Sequence, residues 1–185
     1  MEKITDASLQ NIIKFLEITG MLKRTPRAGW VEVGIYQPES VADHIFRTTI
    51  LCMLYADIEG LDPLKLLRMA LIHDLPEAII GDLTPSKKTA KTKEKVDVTI
   101  NQIFDLLSTK QRERYTNVWH EYREGKTREA QALHQLDKIE MALQAREYEK
   151  AGLASESLER FIKSAKEATS WSDLRRLLSS ILEEE

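Results

Sequence analysis

Seven glycines and five prolines in 185 residues leave this chain with roughly half the usual share of helix breakers. So few punctuators imply long uninterrupted elements, and the apolar spacing makes them helices. Leu9, Ile12, Ile13 and Leu16 recur three and four apart, which predicts a helical face over about 6–19, with Gly20 placed to stop it. Ser40, with Asp43 three residues on, forms a capping-box analogue for a second helix reaching about 59. Asp62 followed by Pro63 is an N-cap with proline at the first helical position. That helix runs to about 74, Pro76 interrupts it, and Gly81 ends the short continuation. Further helices are expected over about 93–107, 109–124, 127–150, 155–168 and 171–183, with Thr109, Thr127, Ser155 and Ser170 as caps. Residues 23–38, KRTPRAGWVEVGIYQP, read as an irregular loop, and VEVGIY within it alternates too weakly for a strand. The expected architecture is an all-α orthogonal multi-helix bundle of about eight helices, one domain over residues 1–185.

The composition narrows the possible partners. Lys plus Arg is 27 against 30 for Asp plus Glu, so no basic excess advertises a nucleic-acid polymer as partner. The KTAKTKEK run at 88–95 is short and lacks interleaved aromatics, so it is not a nucleic-acid patch. The single cysteine, Cys52, excludes an internal disulfide and a multi-cysteine zinc site. It reads as core, together with Met53 and the Trp171 region. The apolar runs are too short for a membrane span. The beginning, MEKITDASLQ, lacks the cationic-then-apolar order of a signal peptide, so a cytoplasmic location is expected.

The informative positions put charge where apolar residues belong. In LLRMALIHDLPEA, an almost continuous apolar stretch ends in His73-Asp74, and Glu77 follows one turn later. His44 lies beside the apolar face of the second helix, near Val41 and Ile45. Asp137 falls between Leu133 and Met141, one turn to either side, while Lys138 points elsewhere on the helix. Each residue alone has an ordinary reading: a capping pair, a hydrogen-bonded core histidine, an edge carboxylate reaching solvent. Together they offer two imidazoles and two carboxylates, a donor set suited to manganese, iron, cobalt, nickel or zinc. No thiolate is included, which argues against a structural zinc site. A nitrogen/oxygen site with further carboxylates nearby is hydrolytic in kind, since a metal there makes hydroxide from water and polarises a phosphoryl oxygen.

The pattern H…HD…D, carried by His44, His73-Asp74 and Asp137, resembles the HD-domain metal-dependent phosphohydrolases. Gly29-Trp30, then PESVADHIFR, HDLPEAIIGDLTP and QLDKIEMALQAREYE, are similar to the 5′-deoxynucleotidase branch of that family, over about residues 14–150. The resemblance implies a homodimeric all-α enzyme of the HD-domain type that removes phosphate from deoxyribonucleoside 5′-monophosphates. It implies His44, His73, Asp74 and Asp137 as ligands of one divalent transition metal. Glu77 then orients the attacking water or passes a proton to the leaving oxygen. Asp82 contacts the sugar hydroxyl or, in some members, joins a second ion such as magnesium together with Glu77. In the irregular loop, Arg27 rather than Arg24 is favoured for the phosphate, Trp30 bounds the sugar by shape, and the glycines Gly29 and Gly34 leave room for movement. Thr84 helps bind the nucleotide, whereas Lys87 and Lys88 read as solvated charges. His120 and His134 match no ligand of the family. The same ligand set also serves a phosphodiesterase or nuclease of this superfamily acting on cyclic nucleotides or oligonucleotides. A third reading is a non-catalytic, metal-stabilised dimerisation module. Base preference and native metal stay open at this level.

Overall fold

The computed structural model describes residues 5–183, apart from the Ser155 side chain. The first four residues, part of the stretch read for a signal peptide, lie outside the described residues. Ten helices follow in order: α1 Asp6–Met21, α2 Ala28–Glu32, α3 Val41–Glu59, α4 Pro63–Ile72, α5 Glu77–Ile80, α6 Ala90–Phe104, α7 Thr109–Glu124, α8 Arg128–Lys150, α9 Ser155–Ala168 and α10 Ser172–Glu183. The described residues contain no strand, only an isolated antiparallel bridge between Pro26 and Ser40. The all-α expectation holds. The extra helices are the short α2, inside the stretch read as a loop, and α5, the continuation after Pro76.

The caps explain most of the boundaries. The Ser40 hydroxyl accepts from the Asp43 N–H, and the Asp43 carboxylate accepts from the Ser40 N–H, a closed capping box at the start of α3. The Asp62 carboxylate accepts from the Lys65 N–H, and Thr127 from the Ala130 N–H. Four details depart from expectation. Helices α9 and α10 start at Ser155 and Ser172, so neither Ser155 nor Ser170 is the residue just before its helix. The α7 cap is Ser108, reciprocated by Gln111, and Thr109 is the first helical residue. Thr89 caps α6, so this helix starts at Ala90 rather than at 93. Gly20 does not end α1, because its backbone stays right-handed and the helix tightens into a 3-10 turn at Leu22–Arg24.

Helix α8 is the axis of the bundle, packed by α3, α4, α7, α9 and α10. Leu66, Met69, Ala70, Leu133, Leu136 and Ile139 are fully buried where α4 and α8 meet the rest of the core. A smaller cluster of Trp30, Ile35, Ala145, Leu158 and Phe161 seats α2 against α8 and α9. Cys52 is buried as expected, and Trp171 packs partly buried against the main core. Met53 is instead exposed. It belongs to a row on the outer side of α3, with Phe46, Ile50, Leu54 and Ile58, that this chain leaves uncovered. The apolar face of α1 is likewise exposed at Leu9, Ile12, Ile13 and Leu16. Periodicity identified that face correctly but could not say what covers it. No helix among the described residues is long and apolar enough to cross a membrane.

Candidate metal centre

Three helices meet at one point below the surface. His44 comes from the second turn of α3 and is completely buried. His73 and Asp74 follow directly on the last residue of α4, where the backbone leaves the helix and frees two adjacent side chains to turn inward. Asp137 comes from the middle of α8. His44 Nε2 stands 3.0 Å from Asp137 Oδ1 and 3.7 Å from Asp74 Oδ2. His73 Nε2 stands 3.2 Å from Asp74 Oδ2 and 4.0 Å from Asp137 Oδ1.

The far side of each imidazole settles which nitrogen carries the proton. His44 Nδ1 donates to Glu140 Oε2 at 2.5 Å, and His73 Nδ1 donates to the Ala70 carbonyl at 2.7 Å. With each Nδ1 donating away from the cluster, each Nε2 can present a lone pair to an ion. Both Nε2 atoms are buried and have no hydrogen-bond partner. Two orphaned imidazole nitrogens facing two carboxylates are costly without a cation and fit a divalent metal ion well. Burial opposes charge on Asp74, but His73 and Arg27 hold its carboxyl far below the usual range. Asp137 is held low in the same way by Lys138 and His44. Burial and Arg27 oppose a proton on His44, yet Asp137 and Glu140 outweigh them and push the imidazole up to about 9. A group held that strongly in its cationic form is one whose proton a metal ion would replace.

The cluster opens into a cavity of about 660 Å³. Its lining brings Arg27, Trp30, Glu77, Asp82 and Thr84 together with Asp74 and Asp137. Arg27 Nη1 donates to Asp74 Oδ2 at 3.2 Å and stands 3.9 Å from Asp82 Oδ1. Arg24 is exposed and lies outside the lining. Glu77 is buried, and its Oε2 has no hydrogen-bond partner. Burial, with Asp74 and Asp82 adding repulsion, raises its pKa well above that of an ordinary glutamate and favours its neutral form. Trp30 shows only 2% of its surface. Its Nε1–H donates to Glu39 at 2.9 Å, and its ring lies between Phe161 and Tyr148. The Thr84 hydroxyl donates to Glu32. Gly29 lies within α2, where an added Cβ would stand 2.9 Å from the Phe161 ring, so it permits close packing rather than movement. Gly34, with φ of +82°, is the turn glycine of this segment.

The HD domain family model matches residues 19–175. The chain belongs to the HD domain family. It is 35% identical to the 5′-deoxynucleotidase HDDC2 of zebrafish (Danio rerio) over 179 residues, covering 95% of this chain and 88% of the relative. It is 39% identical to the 5′-deoxynucleotidase HDDC2 of Dictyostelium discoideum over 152 residues, 77% of this chain and 80% of the relative. Among solved structures, a conserved hypothetical protein from Pyrococcus furiosus superposes with a TM-score of 0.77 at 31% identity, covering 93% of this chain and 99% of the other. The HD domain fold thus accounts for the meeting of α3, α4 and α8 at the histidine–aspartate cluster.

Several residues of the site were not legible as such. Lys138 does pair with Asp137, its Nζ donating to Oδ2 at 2.8 Å. Successive side chains diverge on a helix, but the four-carbon stem is long enough to reach back. Lys88 lines the cavity, whereas Lys87 pairs with Glu32. His134 lines it too, stacked on Tyr122 at 4.7 Å with its Nε2 on the Tyr122 carbonyl. His120 is exposed. Glu140 and Arg47, behind His44, carried no sequence signal beyond being charged residues near a ligand.

Proposed function

We propose that this HD domain protein hydrolyses deoxyribonucleoside 5′-monophosphates to deoxynucleoside and phosphate. The observation that carries this reading is the opening of the His44, His73, Asp74 and Asp137 cluster into a cavity that also holds Arg27 and the buried, unpartnered carboxyl of Glu77. A cation, a guanidinium and a proton donor around one space are what a phosphomonoester and its leaving alkoxide require. The cavity volume, about 660 Å³, suits a ligand of nucleotide size. The relatives' name, 5′-deoxynucleotidase, supports the same substrate class.

His44, His73, Asp74 and Asp137 would hold a divalent ion, which when bound would supply an activated water and positive charge for the phosphoryl oxygens. Arg27 binds a non-bridging phosphate oxygen and orients the phosphorus toward the cluster. Glu77 gives its proton to the departing 5′-oxygen, since an alkoxide leaves poorly unprotonated. Asp82 accepts from the 3′-hydroxyl with the lone pairs left after its bond to Ala28. Thr84 and the edge of Trp30 bound the sugar. One ion is enough for this scheme. The Arg27 cation stands over Asp82, and Asp82 already accepts a hydrogen bond from Ala28, so a second ion such as magnesium at Glu77 and Asp82 is disfavoured. The exposed apolar rows of α1 and α3 support a homodimer, because a monomer in water rarely leaves such rows open. A single domain in the cytoplasm, acting on small nucleotides, completes the reading.

The test uses metal-stripped protein reloaded in turn with cobalt, manganese, iron, nickel or zinc. Phosphate release is followed from dAMP, dCMP, AMP and bis-p-nitrophenyl phosphate, with His73→Ala as control. Release from the deoxynucleotides well above the control is expected. Hydrolysis of the diester in preference to every monophosphate would replace this reading with a phosphodiesterase, and no release above the control would leave a metal-stabilised dimerisation module.

A further inference from the structure

The His44 imidazole is held from behind by a chain of side chains that the reaction itself does not use. Glu140 is fully buried. Its Oε2 accepts from His44 Nδ1, and its Oε1 accepts from Arg47 Nε at 2.9 Å with Nη2 2.8 Å away. The same guanidinium donates through Nη2 to Gln144 at 2.5 Å and through Nη1 to Glu147 at 2.7 Å. Glu140, Gln144 and Glu147 follow one another at steps of four and three on α8, so one side chain of α3 grips a single face of α8 over two turns. Arg47 lies one turn after His44 on α3, and Glu140 lies one turn after Asp137 on α8. The grip therefore joins the two helices that carry His44 and Asp137, and any rotation that separated these ligands would have to break it.

A brace alone does not explain this arrangement. Apolar residues of similar volume would join α3 to α8 at lower cost than a buried carboxylate and guanidinium. What apolar residues cannot do is choose a tautomer. Glu140 Oε2 accepts the hydrogen bond of the Nδ1–H, and Arg47 occupies Oε1, so the imidazole plane is fixed and Nε2 is the nitrogen turned toward the cluster. His73 has no such device in side chains, because its Nδ1 is oriented by the Ala70 carbonyl. Control through side chains is thus concentrated on His44.

We propose that Glu140 and Arg47 are positioning residues for the metal site, Glu140 fixing the tautomer and plane of His44 and Arg47 fixing Glu140 and the register of α3 on α8, so that both set the affinity for the ion. The proposal rests on the reading of His44, His73, Asp74 and Asp137 as metal ligands. The experiment is a cobalt(II) titration of the metal-stripped full chain against a chromophoric chelator, for wild type, Glu140→Gln, Arg47→Ala, Arg47→Lys and His44→Ala. Glu140→Gln is expected to bind cobalt about 10- to 100-fold more weakly and to change the visible absorption of the bound ion. Arg47→Lys, which keeps the charge but not the fork, is expected to fall between wild type and Arg47→Ala. Wild-type affinity and spectrum in Glu140→Gln, with only a lower thermal midpoint of the metal-stripped protein, would make the pair a structural brace and overturn the proposal. Should Glu140→Gln fail to fold, Arg47→Lys decides in the same way, because it touches no ligand. Wild-type cobalt binding by His44→Ala would overturn the metal reading itself, and this proposal with it.

Discussion

Asp82 Oδ2 accepts a hydrogen bond from the Ala28 N–H at 2.6 Å, so the carboxylate that follows Gly81 caps the helix that begins just after Arg27. The two loops that edge the cavity are thereby tied to each other. Arg27 is also held through its own N–H, which donates to the Glu39 carbonyl. Its guanidinium reaches Asp74 from a backbone fixed on both sides of the residue. Asp82→Ala removes the acceptor, and a loss of about 1 kcal/mol in urea unfolding is expected from the missing cap. The larger effect is expected in kcat/KM, since Arg27 loses its fixed base. Asp82→Asn keeps an oxygen for Ala28 and is expected to restore most of the stability while activity stays reduced. Equal activity in wild type and Asp82→Ala would remove the tie from the function.

Glu77→Gln keeps the size of the side chain and removes the carboxyl that burial and the Asp74 and Asp82 charges bias toward its neutral form. The variant is expected to fold, to bind cobalt as wild type does, and to lose turnover by about 10²-fold or more. The loss is expected in kcat, with little change in KM, because the proton is needed only as the ester bond breaks. A p-nitrophenyl monophosphate, whose leaving group departs without a proton, checks the assignment. Glu77→Gln is expected to hydrolyse it nearly as fast as wild type.

Asp137→Ala is expected to abolish the stabilisation that a metal brings. Cobalt at 100 times its dissociation constant stabilises a folded protein by about 2.7 kcal/mol when it binds only that state. The wild type is expected to show this gain as a rise in thermal midpoint on adding cobalt, and Asp137→Ala to show none at the same concentration. The comparison with and without metal within each protein isolates the ion from the loss of the Lys138 pair.

His44, His73, Asp74 and Asp137 were legible in the sequence because a polar group inside an apolar stretch is costly, and the cost marks it. Their convergence on one point was not, since it depends on where α3, α4 and α8 cross. Glu140 shows the limit from the other side. It stands between Ile139 and Met141 of α8, one turn after Asp137, and nothing near it in the sequence names the partners that bury it, His44 and Arg47, which are 96 and 93 positions away. The helices themselves follow from caps and breakers, which act within a few residues. The stretch around Gly29 misled because its glycine looked like a hinge, whereas its reason lies in the Phe161 ring of α9. The open faces of α1 and α3 are a further case: spacing gives the stripe, and only assembly gives its cover.

Glu39 provides a pH test that is independent of turnover. Burial, with Glu140 adding repulsion, raises its pKa from 4.5 to about 7. Between these two values the unfolded chain has lost the proton and the folded chain still holds it. The folded state then binds more protons, so stability falls as pH rises through this window and stays lower above it. Glu39→Gln keeps an oxygen for the Trp30 Nε1–H and has no charge to bury. Its stability is expected to match wild type near pH 4.5 and to exceed it by up to about 3 kcal/mol above pH 7. Urea unfolding of both metal-stripped proteins between pH 4.5 and 8 measures the difference. A constant difference across that range would mean that Glu39 titrates normally.

The last prediction concerns the sugar. Trp30 is held on several sides at once: Phe161 and Tyr148 flank its ring, Glu39 takes its Nε1–H, and α2 is anchored by Asp82 next to it. A wall fixed in this way cannot yield to an extra hydroxyl, and shape rejection in a rigid site is larger than in a mobile one. Deoxyribonucleoside 5′-monophosphates are therefore expected to be better substrates than ribonucleotides, with little dependence on base. A 3′-nucleotide is expected to fail, because its phosphate cannot reach Arg27 while Asp82 meets the sugar. Trp30→Ala would leave a large cavity and cost about 3–5 kcal/mol, which confuses folding with selectivity. Trp30→Phe keeps an aromatic between Phe161 and Tyr148 but drops the bond to Glu39 and shortens the wall. It is expected to fold, to keep most of its dAMP turnover, and to narrow the ratio of dAMP to AMP in kcat/KM. Equal rates on dAMP and AMP in wild type would remove Trp30 from selectivity and leave the phosphatase reading standing, whereas a preference for 3′-dAMP would mean that the cavity is entered in the opposite sense.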